Sequence, residues 1–191
     1  MANDVDRLRD ELSILEYRAG NLDALAGLIS RWQQRIYAYV LAVVGDRDQA
    51  WDVSQEVWTT VIRGLRRETD VRHFARWLYT VAHNECVSHF RRMNRLKAHE
   101  DDMPEDADYL DPAGLPDDRV LAAADANLVR ECLLQLSLSQ REAISLFYQD
   151  GLSLDDIARI LGIPPGTVQS RLHYGRRKLG ELLTRKGYRN D

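Results

Sequence analysis

SLDDIARILGIPPGTVQSRLHYGRRKL, residues 153–179, reads as two helices around a tight turn, a helix-turn-helix. Ser153 stands where a helix cap accepts a backbone N–H, and Asp156 reciprocates three residues later. Ile157 and Leu161 then share one face at i, i+4 spacing. Gly162 supplies the turn; Pro164 and Pro165 stop the first helix and pre-set the second. On a helical wheel Val168, Leu172, Gly175 and Leu179 fall on one narrow apolar arc. Thr167, Ser170, His173, Tyr174 and Arg177 lie opposite, flanked by Arg171, Arg176 and Lys178. An apolar ridge that holds a helix to its own domain leaves the polar, basic face free to enter a major groove. Contact with duplex DNA is therefore the expected chemistry. A solvated charged face on a helical hairpin is the plainer alternative, but cap, turn and basic rim together make the stricter match.

Outward from this motif, a formal net charge of −4 over 191 residues looks wrong for a DNA-binding chain until it is divided. Residues 1–20, 21–99, 100–118 and 119–191 carry −2, +4, −9 and +3. Two mildly basic blocks flank one acidic segment, EDDMPEDADYLDPAGLPDD, with three prolines and little aliphatic content. Such a segment repels itself and is expected to be an extended linker. The boundaries follow: 1–20 a helical extension, 21–97 a first helical domain, 98–119 the linker, 120–185 a second helical domain, and 186–191 a tail.

The remainder reads as helix, giving an all-α fold of two small domains. Leu22, Leu25, Leu28, Ile29, Trp32, Ile36 and Tyr37 recur at helical spacing, and Gly45-Asp46 breaks the pattern. Val53, Val57 and Val61 form the ridge of a second helix, and a long helix follows from about Val71 to Asn94. On it Arg76, Thr80, His83, Asn84, Val87 and Arg91 share one face, while Phe74, Trp77, Leu78 and Val81 are core candidates. Asn and Thr suit base edges and arginines suit phosphates, so this face is a weak nucleic-acid signal by itself. No apolar run reaches membrane-spanning length, and Met1 to Gly20 lacks the basic and apolar regions of a signal peptide; a cytoplasmic chain is expected. Cys86 and Cys132 form no CxxC pair and are expected to be buried spectators. The five histidines have no zinc-ligand spacing and no nucleophile–base pair stands out, so neither cofactor, metal nor enzymatic activity is expected.

These residues carry a resemblance over nearly the whole length. The chain resembles an extracytoplasmic-function sigma factor of the sigma-70 family. AWDVSQEVWTTVIRGL (50–65) is similar to conserved region 2.2, HFARWLYTVAHNECVSHFRRMNR (73–95) to regions 2.3 and 2.4, and PPGTVQSRLHYGRRKL (164–179) to region 4.2. The resemblance implies a protein that binds core RNA polymerase and directs it to promoters. The first domain would recognise and melt the −10 element, using Arg66, Arg67, Glu68 and Thr69 of the loop GLRRETD with Arg76, Thr80, His83, Asn84, Arg91 and Arg92. The last domain would read the −35 duplex with Thr167, Gln169, Ser170, Arg171, His173, Tyr174, Arg176 and Arg177. Asp48, Asp52, Gln55 and Glu56 would dock the polymerase. Core RNA polymerase and promoter DNA are the implied partners, with an anti-sigma factor a further one the family admits.

Two departures stand out. The family's Asp-Ala-Glu-Asp-like start to region 2.2 is Gln49-Ala50-Trp51-Asp52 here, so two acids are missing, and Trp51 either packs inward or offers a partner an apolar contact. Gln169 and Tyr174 stand where basic residues are common, which lowers phosphate affinity or alters base preference. The rival readings are a helix-turn-helix regulator of the same ancestry that no longer engages polymerase, and a protein that sequesters a partner through the first domain.

Overall fold

The computed structural model describes residues 4–67, 71–97, 126–150 and 152–187. Among them are eight α-helices: α1 (Asp4–Arg18), α2 (Leu22–Val44), α3 (Arg47–Leu65), α4 (Phe74–Lys97), α5 (Ala126–Leu133), α6 (Leu138–Asp150), α7 (Leu154–Leu161) and α8 (Pro165–Arg185). A 3-10 turn, Val71–His73, leads into α4. The described residues contain no strand, as the uniform helical periodicity predicts. The acidic linker lies outside the described residues.

Local capping chemistry sets most boundaries. Asn21 caps α2 by accepting from the backbone N–H of Asp23 and Ala24, and Gly45 ends it at φ +89°, donating to the Leu41 carbonyl. The left-handed conformation is why glycine stands there. Asp46 then caps α3 by accepting from Gln49 N–H at 2.9 Å. At α7 the Ser153 hydroxyl accepts from Asp156 N–H at 3.1 Å and donates to the Asp156 carboxylate at 2.7 Å. The reciprocal half of the cap thus runs through the hydroxyl.

Trp32 is the centre of the first domain. Its ring meets Phe74 edge-on at 5.8 Å and Tyr79 at 6.3 Å, tying α2 to α4. Val53, Val57 and Val61 of α3 complete this core, all buried. The N-terminal helix α1 is no loose extension: buried Asp10 accepts from Trp32 Nε1 at 2.9 Å and from Arg31 Nη2 at 2.9 Å. Burial pushes the Asp10 carboxyl above the usual carboxylate range, opposed by those Arg31 and Trp32 hydrogen bonds.

In the second domain α8 lies along α6. Gly175 faces α6, where a Cβ would sit 2.7 Å from Ile144 Cδ1 and 3.3 Å from Gln140 Cβ. Gly175→Val should cost about 1–3 kcal/mol through overpacking, read as a lower urea midpoint at unchanged slope. A stability equal to wild type would show that α6 can retreat from α8. Both thiols are buried, Cys86 in α4 and Cys132 in α5. Burial raises both pKa values, with Glu142 and Glu85 adding to it at Cys86. A raised thiol pKa keeps the unreactive protonated form, so iodoacetamide at pH 8 should modify neither cysteine in the native chain and both in guanidinium. Labelling of the native chain would contradict this packing.

The two domains do not stand apart. α2 packs against α6, and α4 packs against α7, so one hydrophobic core runs through both. Leu134, between α5 and α6, comes so near the end of α2 that a Cβ on Gly45 would meet its Cδ2 at 2.8 Å.

Candidate nucleic-acid and polymerase interface

Three surfaces hold the residues singled out from the sequence. The first is the outer ridge of α3. With its valines turned inward, Asp48, Asp52 and Gln55 are exposed. Glu56 is half-exposed and accepts from Arg92 Nη2 at 2.6 Å, linking this ridge to the basic end of α4. At its upper end Gln49 shares a 2.9 Å hydrogen bond with His89 of α4. Trp51 resolves to the surface: 59% exposed, its ring edge-on to Tyr37 at 6.3 Å. An exposed indole between carboxylates combines apolar area with charge, as interface anchors do.

The second surface is α4 with the loop before it. Arg66 and Arg67 are exposed, the Arg66 guanidinium standing 5.8 Å from the Tyr17 ring centroid. Glu68 and Thr69 lie outside the described residues. Asn84, Arg91 and Arg92 are exposed. The rest of the expected face is not open. Arg76 Nη1 donates to Asp156 Oδ1 of α7 at 3.4 Å, and His83 Nδ1 meets Glu142 Oε1 of α6 at 3.0 Å. Thr80, between them, is half-buried and donates its hydroxyl to the Arg76 carbonyl at 2.9 Å. The second domain thus lies on the N-terminal half of this face. Trp77 packs beside the core, its ring 2.7 Å from where a Gly64 Cβ would stand.

The third surface is α8. Val168, Leu172, Gly175 and Leu179 are buried, and Gln169, Arg177 and Lys178 are exposed. Thr167, Ser170, Arg171 and His173 are half-buried, with the Ser170 hydroxyl donating to the Gly166 carbonyl at 3.0 Å. Two expected placements are corrected. Tyr174 is only 8% exposed, its ring flanked by His173 at 5.3 Å and by the Arg177 guanidinium at 5.5 Å. Arg176 turns back onto α6, its guanidinium 4.5 Å from the Phe147 ring centroid and 5.1 Å from that of Tyr148. Cation–π contact competes there with a reach toward phosphate.

Glu142 has the spacing of a helix-cap partner to Ser139, and the sequence assigns it no role beyond that cap. It is a carboxylate on a helix whose apolar neighbours suggest only a core; its charge becomes significant once α6 is seen against α4 and α2. Burial, with Glu142 adding to it, raises the Tyr39 phenol well above its ordinary value. No helix among the described residues is long and apolar enough to cross a membrane, and no cluster of His, Cys, Asp or Glu there has the form of a metal site.

Comparison with known proteins follows the same division. The family described as Sigma-70 region 2 matches residues 28–96, and Sigma-70, region 4 matches residues 126–179. The extracytoplasmic-function RNA polymerase sigma factor SigL of Mycobacterium tuberculosis is 36% identical over 160 residues, covering 80% of this chain and 84% of its own. SigW of Bacillus subtilis, of the same description, is 29% identical over 182 residues, covering 89% and 94%. The sigma factor RpoE in complex with the anti-sigma factor NepR, from Bartonella quintana, superposes with a TM-score of 0.64 at 25% identity, covering 84% of this chain and 96% of that one. CnrH in complex with the cytosolic domain of CnrY shares the fold at a TM-score of 0.64 and 22% identity, covering 92% and 97%.

Proposed function

The chain belongs to the extracytoplasmic-function RNA polymerase sigma factors of the sigma-70 family, and we propose that it docks through α3, melts the −10 element with α4 and reads the −35 duplex with α8. As in the family at large, it is not an enzyme; it binds core RNA polymerase and directs promoter-specific initiation, and DNA opening draws on binding energy. The observation that carries the assignment of surfaces is the shape of α3. Its apolar ridge is spent on the core, so Asp48, Trp51, Asp52 and Gln55 remain for a partner.

On the −10 side Asn84 offers a base-reading amide, and Arg66, Arg67, Arg91 and Arg92 offer phosphate contacts. On the −35 side Gln169 and Arg177 stand furthest out, with Thr167, Ser170, Arg171 and His173 at the groove edges. The RpoE relative's complex supports an anti-sigma factor as a further class of partner. Action in the cytoplasm, at the nucleoid when polymerase-bound, follows from this reading.

Run-off transcription with purified core polymerase on genomic fragments tests it. Discrete transcripts that require the chain are expected. Duplex binding without any transcript would favour a helix-turn-helix regulator of sigma ancestry.

A further inference from the structure

Helix α1 carries an apolar stripe that its own domain leaves uncovered. Val5, Leu8, Leu12 and Leu15 recur at i, i+3, i+7 and i+10, and each is between 50% and 57% exposed. The opposite side of the helix holds Asp10, Ile14 and Tyr17, all buried against the first domain. The leucines therefore cannot roll inward without breaking the hydrogen bonds of Asp10 to Trp32 and Arg31. Outside residues 1–22, only Trp51 and Leu134 among the described residues leave a large apolar side chain exposed. Water penalises such a stripe, and alternating steps of three and four are the seam by which one helix packs on another.

The charges beside the seam identify the other helix. One flank carries Arg9 and Glu16, the other Glu11 and Arg18, so on each an acid and a base stand seven residues apart. Two copies of α1 laid antiparallel about a twofold axis set Arg9 against the partner's Glu16 and Glu11 against the partner's Arg18. Leu12 then lies on the partner's Leu15 between these pairs of opposite charge. Laid parallel and in register, the same helices would set Glu11 against the partner's Glu16, acid on acid. Arg9 and Glu16 are both exposed, and the 3.8 Å ion pair of Arg9 with Asp6 is a surface contact of little strength. Arg18 is steadied by its Nε, which donates to the Leu65 carbonyl at 2.9 Å. A lipid surface fits the stripe poorly, because its flanks hold as many acids as bases.

We propose that α1 is a self-association surface: two copies of this chain meet antiparallel along Leu8, Leu12 and Leu15, with Arg9 and Glu16 of each copy paired across the seam. The surface uses no residue given to DNA or polymerase, so it stands apart from the promoter reading. Its size sets the strength. The 15 residues of α1 extend about 22 Å, and two such helices bury less than the ~1,200 Å² at which stable interfaces begin. The dimer is accordingly weak and reversible, and concentration controls it.

Sedimentation velocity of the full-length chain, from about 2 to about 200 μM, measures it. The sedimentation coefficient should climb with concentration from the monomer toward the dimer. Leu12→Glu puts a carboxylate into the seam at an exposed position, so it should sediment as a monomer throughout while its circular dichroism and urea midpoint stay as in wild type. Arg9→Glu alone, or Glu16→Arg alone, turns two favourable pairs into two repulsive ones and should weaken the dimer about tenfold. In an equal mixture of those two variants every acid again faces a base across the seam, and association should return to wild-type strength. A wild-type chain that is monomeric at every concentration overturns the proposal and leaves the stripe to a helix of some other protein. A dimer that Leu12→Glu leaves intact overturns it as well. So does a mixture that associates no better than its two components, since that removes the antiparallel pairing by which the second copy was identified.

Discussion

Trp32→Ala should cost about 3–5 kcal/mol, the range for removing a buried aromatic, and so consume a large part of the 5–15 kcal/mol by which a domain is folded. The reason lies in what the indole joins. It is 4% exposed, packs edge-on against Phe74 and Tyr79, and donates its N–H to Asp10. Truncation therefore opens a cavity between α2 and α4 and also removes one donor from a buried carboxylate, loosening α1. Trp32→Phe separates the two effects. It keeps most of the ring volume and loses the hydrogen bond, for which about 1–3 kcal/mol is expected. Urea titration followed by circular dichroism measures both. A Trp32→Ala midpoint close to wild type would mean that α1, α2 and α4 are not held through this residue.

Trp51→Ala should behave in the opposite way. At 59% exposure its removal sacrifices little beyond the edge contact with Tyr37, so the urea midpoint should move by less than about 1 kcal/mol equivalent. Binding to core polymerase is where the loss is expected, about 30-fold or more, which corresponds to the 2 kcal/mol or above typical of a tryptophan hot spot. Here the family's acids are thinned, and the indole stands beside Asp48 and Asp52 on the surface those acids define. Titration of fluorescent core enzyme, with Asp52→Lys in parallel, gives the measurement. If Trp51→Ala binds as wild type while Asp52→Lys weakens, docking is electrostatic and passes the indole by. If neither changes, docking lies off α3.

What was legible from the residues was whatever depends on a few neighbours in sequence. Ser153 and Asp156 cap a helix, Gly162 turns it at φ +66°, and Pro165 starts the next, because each acts on backbone groups within a turn of itself. Likewise Val53, Val57 and Val61 had to be buried, since helical spacing puts them on one arc and water expels that arc. The polar arcs were another matter. Periodicity says which side chains share a face, never which element covers it. Tyr174 fell opposite the apolar ridge of α8 and is nonetheless only 8% exposed. Arg176 belonged equally to a phosphate or an aromatic face, and only the position of Phe147 and Tyr148 on α6 chose between them. Trp51 could turn inward or outward until the packing of α3 against α4 was known. The closing of α4 by Glu142 and Asp156 joins residues 59 and 80 positions apart. No local pattern encodes such a pair; it exists only because the second domain comes to rest on the first.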